Sequence, residues 1–188
     1  MRLLDLQLSV ERQLRGLPYP AYLLAMSVIG RQLQESYADL LAENGDLLAR
    51  QTVGVVTAAY LSGEPAKDEA WQLHRRWEVL IDDPATDGPL EMFSAMYVFD
   101  MLACEVAGKV KQRAAVGQVT NAAKLPDPEA CEPAGPRLVR IDPGKQADES
   151  SPAVRLIRKF EEVARLAARQ HNTGLLCDPG QIHSIVFG

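Results

Sequence analysis

The chain lacks almost everything that announces a function in a sequence. No Walker loop, GxGxxG, HExxH or GxSxG pattern occurs in its 188 residues, so nucleotide cradling, zinc proteolysis and serine hydrolysis lose their usual signs. Cysteine is scarce: Cys104, Cys131 and Cys177 are odd in number and form no CxxC pair. That fits reduced thiols in a cytosol better than a disulfide framework or structural zinc. A basic excess is missing too. The net charge is -5, and neutralising phosphates needs clustered Lys and Arg, so neither nucleic acid nor an anionic membrane surface is an expected partner. The longest apolar run, "AYLLAMSVIG", is only about half the ~20 residues a membrane-spanning helix requires. The segment "MRLLDLQLSVERQL" breaks its leucines with Asp5, Glu11 and Arg12, unlike the uninterrupted core of an export signal. The expected location is therefore the cytoplasm.

What is present is ordinary globular material, 47% hydrophobic and 24% charged, enough for one domain or for a core domain with a docked appendage. Helix punctuation divides the first part well. The spacing predicts helices over Leu3 to Leu14, and over Ala21 to Ala42 with a stop at Asn44-Gly45. Asp46 then caps a third helix, which carries "VGVVTAAYL" and ends at Ser62-Gly63. A fourth runs from Asp68 to Ile81, halted by Asp82-Asp83-Pro84, and a fifth from Leu90 to Gln112. The fold class expected is all-α, an antiparallel array of about five helices over residues 1–115.

Residues 116–150 read as a linker, punctuated by Pro126, Pro128, Pro133, Pro136 and Pro143. Residues 151–188 read as a C-terminal unit. Ser151-Pro152 is a strong helix start, and Val154, Ile157, Phe160, Val163, Ala164 and Ala167 form one apolar stripe through Gln170. Such a stripe has to dock, on the core or on a second subunit. The segment "RLVRI", bounded by Pro136 and Pro143, and the tail "HSIVF", freed by Gly180, are candidates for one short β pair.

The sharpest lead is "AMYVFDMLACEVAGKV", a helix apolar nearly all the way round that nonetheless holds Asp100 and Glu105. Helical geometry sets the two about 140° apart, so they cannot form one close dyad. Each buried carboxylate needs a basic or hydrogen-bonding partner on another helix. Arg31, after an apolar run and beside Gly30, is the leading partner for Asp100, with Arg75 and Arg76 behind it. The bland reading is an ion pair that fixes helix register. His74, Glu78 and Asp82 follow one another at helical spacing. The core stripe of Leu73, Trp77, Leu80 and Ile81 puts His74 at its edge and the acids further toward solvent, so a polar flank explains them better than metal ligation. Trp71 falls off the stripe, as an interface anchor or as a residue covered by the linker. Cys104 has no His near it in sequence, and His171 and His183 are isolated. No catalytic set, metal-ligand set or cofactor emerges.

The stretches "YLLAMSVIGRQLQESY" and "MFSAMYVFDMLACEV" resemble the YjaG-like family of uncharacterised bacterial helical proteins, with Asp100 on that family's acidic position. The likeness runs from Pro20 to Val110, about half the chain, with a one-residue slip at Tyr37 and Tyr60 where the family has tryptophan. It implies an all-helical cytosolic fold and no assigned activity. The functional expectation is a non-catalytic, cytosolic protein that acts by protein–protein interaction, immunity- or antitoxin-like or regulatory, with another protein or itself as a homodimer for partner. The alternative is a helical ligand-binding protein or metal-assisted enzyme, with Asp100, Glu105, His74 and Arg31 around an internal cavity.

Overall fold

The computed structural model describes residues 2–110, 113–123 and 146–188. Among them the chain forms eight helices: α1 (Leu3–Gly16), α2 (Tyr19–Tyr37), α3 (Ala42–Ser62), α4 (Lys67–Asp82), α5 (Leu90–Val106), α6 (Val116–Ala122), α7 (Pro152–Thr173) and α8 (Pro179–Phe187). No strand occurs among the described residues, only an isolated bridge between Arg2 and Gln146, and the protein is all-α.

The packing explains the composition of each helix. α2 touches α1, α3, α5, α7 and α8. Over Ala21 to Gly30 these neighbours leave no face to water, and the stretch is buried without a break. α5 is enclosed by α2, α3, α4 and α6, which is why its sequence is apolar all round. α7 packs chiefly on α1, α2 and α8 and is correspondingly two-faced: Val154, Ile157, Phe160, Val163, Ala164 and Ala167 are buried. The C-terminal stripe thus packs on the bundle of its own chain.

Several elements differ from those the sequence suggests. α2 ends at Tyr37, whose carbonyl accepts from the amides of Leu40 and Leu41 at 3.0 and 2.9 Å, and the left-handed residue of the turn is Ala42, at φ 53°. Asn44-Gly45 is no cap. Gly45 lies inside the first turn of α3, where a Cβ would meet that of Leu41 at 3.1 Å, so it is close packing that requires glycine. Asp46 does not cap α3 either; it accepts from Gln34 Nε2 at 2.5 Å and pairs with Arg50.

α5 stops at Val106, short of Gln112, in a complete Schellman turn: Gly108 adopts φ 72°, its amide donates to Glu105 O and that of Lys109 to Cys104 O, both at 3.0 Å. Residues 116–122, read from composition as linker, form α6, whose Val116, Val119 and Ala122 are fully buried. "HSIVF" is helical rather than extended. Asp178 accepts from the Gly180 amide at 3.0 Å and Pro179 holds the first turn, so Asp-Pro-Gly is an N-cap followed by a proline start. "RLVRI" and Cys131 lie outside the described residues.

Candidate functional site

Asp100 and Glu105 are 4% and 3% exposed, and each has found a partner. For Asp100 that partner is His74: Nδ1 lies 2.6 Å from Oδ1. Arg31 is not involved. Gly30 is the residue that faces the interior, with a Cβ there meeting Val53 Cγ2 at 3.2 Å and Phe99 at 3.9 Å. One residue on, about 100° around the helix, Arg31 points outward and pairs with Glu35 at 3.0 Å. Arg75 is also exposed and pairs with Glu78 at 3.0 Å, while Arg76 bonds Gln51.

His74 is buried, not placed on a solvated flank. α4 packs against both α3 and α5, so its buried sector is wider than the leucine stripe alone indicates. The imidazole carries Trp71 against its face, ring centroids 4.8 Å apart, and Lys109 Nζ lies 5.3 Å from the Trp71 ring. Trp71 is therefore half-buried against the core, not a bare anchor. Nε2 of His74 faces Glu78 Oε1 at 3.7 Å. Burial pushes the Asp100 carboxyl above its ordinary range, opposed by the hydrogen bond and charge of His74. Burial raises the Cys104 thiol as well, with Asp100 and Glu78 adding to it, so Cys104 is an inert core residue.

Glu105 serves a second centre, whose other members the sequence did not signal. Oε2 accepts from Tyr22 Oη at 2.8 Å and Oε1 from the Ala115 amide at 2.9 Å; the amides of Arg113 and Ala114 also favour its charged form. The carboxylate thus terminates the backbone where α6 begins. Burial still outweighs these bonds and raises the Glu105 carboxyl. Arg113, at φ 73°, donates through Nη2 to Leu17 O and lies over the Tyr22 ring at 6.0 Å. Nothing around Tyr22 or Arg113 in the sequence marks them, because their roles arise from a turn between α5 and α6.

A carboxylate holding Nδ1 of an imidazole fixes its tautomer and aim, and so can prepare a general base. Here Nε2 is turned toward Glu78 of the same helix and His74 is only 8% exposed. Among the described residues no three His, Cys, Asp or Glu side chains gather as a metal site. Two of the clefts formed by the described residues lie elsewhere, and neither is lined by His74, Asp100, Glu105 or Arg31. One, of about 190 Å³, lies where the α2–α3 turn meets the α4–α5 connection. The other, of about 200 Å³, is lined by Pro20, Ala21, Leu24, Tyr60, Leu175 and Leu176, among others.

That second cleft borders two adjacent exposed leucines. Leu175 and Leu176 are 71% and 69% exposed, on a turn that is firmly built. Gly174 caps α7 at φ 68°, Gln170 Nε2 donates to Leu175 O at 3.1 Å, and the Cys177 amide donates to Tyr60 Oη at 3.1 Å. No helix among the described residues is long and apolar enough to cross a membrane. No family model, curated protein or solved structure matches the chain.

Proposed function

We propose that this is a non-catalytic protein-binding module of the cytosol, in which Asp100–His74 and Glu105–Tyr22 are internal fastenings rather than reacting groups. The observation that carries the reading is the pair Leu175 and Leu176, exposed yet held on a hydrogen-bonded turn beside an apolar cleft. Fixed apolar side chains lose little freedom on association, so a contact made there is less opposed by ordering. The cleft is of a size to admit one or two apolar side chains. The partner is a second protein, in an immunity- or antitoxin-like or regulatory role, or a second copy of this chain.

The test replaces position 176 with a photo-crosslinking residue in cells that make the protein, with the exposed Glu64 as the control position. A discrete adduct at 176 and none at 64 is expected, lost when Leu175→Asp is added. Self-association by sedimentation velocity, abolished by Leu175→Asp/Leu176→Asp, would assign the partner as a second copy. Absence of an adduct at 176, or the same adducts at both positions, overturns the reading. Being exposed, the two leucines should change stability by less than about 0.5 kcal/mol each when replaced, so lost binding will not reflect unfolding.

A further inference from the structure

α8 is packed against α2 and α7, and its contact is organised around His183. The residue is 9% exposed, and its Nε2 is shielded from solvent with no hydrogen-bond partner. Charged groups face the ring from both helices beneath it. Glu35 of α2 places Oε2 3.3 Å from Nε2, out of line for a hydrogen bond, and Arg31 of α2 and Lys159 of α7 bring positive charge. α8 itself has no other charged side chain. The ring rests on Phe187, centroids 5.1 Å apart, and Phe187 in turn meets Phe160 of α7 at 6.3 Å. Ile182 and Val186 complete the buried face. A nine-residue helix is too short to persist in water alone, so α8 keeps its form by staying docked.

We infer that α8 is a releasable segment, held down while His183 is neutral and freed when His183 takes up a proton. The neutral ring suits an apolar seat between Phe187, Ile182 and α2. The imidazolium needs both N–H groups hydrated or partnered, and the seat offers one carboxylate, Glu35, whose Oε1 is held by Arg31 at 3.0 Å and whose Oε2, 3.3 Å from Nε2, is out of line for a hydrogen bond. Lys159 and Arg31 repel the added charge. Burial accordingly pushes His183 below the usual histidine range, reinforced by Arg31 and Lys159 and opposed by Glu35. Because the docked imidazole binds its proton less tightly than the free one, docking is fully present above pH ~6.5 and weakens as pH falls through that value toward the docked pKa. At pH 5 a free imidazole is about 30 to 1 protonated, so the docking equilibrium can weaken by at most about 30-fold there. Release uncovers the Phe160 edge that Phe187 now meets. The inference rests on the contacts of α8 alone and is independent of any partner at the leucine turn.

Backbone amide exchange on the full chain, corrected for intrinsic rates and followed from pH 7.5 to pH 5, tests it. Protection at Ile182 to Val186 should fall severalfold to about 30-fold, while amides of α5 hold. His183→Phe should abolish the pH dependence, and His183→Gln serves the same purpose should the phenylalanine variant not fold. Glu35→Gln, which removes the one group favouring the charged ring, should enlarge the loss at each pH. Flat protection in the native chain, an equal loss in both His183 variants, or a parallel loss in α5 overturns the inference.

Discussion

Replacing Asp100 by alanine discriminates between two kinds of buried ion pair. Had its partner been an arginine, removing the acid would strand a cation that cannot shed its proton, at a cost of about 3 to 5 kcal/mol. The partner is His74, with Nδ1 2.6 Å from Oδ1, and an imidazole can become neutral. What Asp100→Ala leaves behind is a buried N–H without an acceptor, worth about 1 to 3 kcal/mol. The burial that raises the Asp100 carboxyl is relieved at the same time, which keeps the loss in that lower range. At about 2 to 4 °C per kcal/mol for a chain of this size, Tm should fall by about 2 to 12 °C. A cycle of Asp100→Ala, His74→Ala and the double variant, followed by urea unfolding, should give a coupling of about 0.5 to 3 kcal/mol. Asp100→Leu with His74→Phe, an apolar pair in the same space, should restore the native stability or exceed it. An unchanged Tm, strictly additive single losses, or a loss above about 4 kcal/mol would each refute this account.

Glu105→Gln should reveal its burial through pH. The folded chain keeps the Glu105 proton to higher pH than the unfolded chain does, so the native carboxyl contributes most below pH ~4.5 and loses that contribution as pH rises through its raised pKa. Relative to native protein the variant should therefore gain stability as pH rises from about 4.5 through the raised pKa of Glu105, by at most about 1.4 kcal/mol per pH unit; a difference independent of pH would contradict it. Phe160→Ala, which empties a fully buried position where α7 meets the bundle, should cost about 3 to 5 kcal/mol in denaturant melts, and a loss under 1 kcal/mol would show α7 to be loosely applied.

The helical class and the span of α7 were legible because they rest on periodicity and punctuation that act locally. Ser151-Pro152 and the stripe from Val154 to Ala167 specify α7 without reference to anything else. α8 misled for the converse reason. Ile185, Val186 and Phe187 favour an extended chain in isolation, but Asp178 and Pro179 start a helix and the seat on α2 and α7 maintains it. That Asp100 and Glu105 need partners followed from their setting in an apolar helix. Which partners they take depends on the rotation of α2 and on the α5–α6 turn, set by Gly30 packing near Val53 and Phe99 and by the Schellman geometry at Gly108. Neither is encoded within a few residues of the carboxylates. His183 looked like an isolated histidine because Glu35 and Lys159, the charges that surround it, come from distant parts of the chain.

α2 is enclosed by α1, α3, α5, α7 and α8, and two of those neighbours are made long after it. During synthesis the Tyr19–Tyr37 helix leaves the ribosome with part of its surround missing until α7 follows, a gap on the order of 10 s at ordinary elongation rates. Through that interval the bundle is a surface looking for its own continuation, and any other chain with an apolar stripe competes for it. Yield from a cell should therefore respond to translation speed and chaperone supply more steeply than the equilibrium stability of the finished protein would suggest.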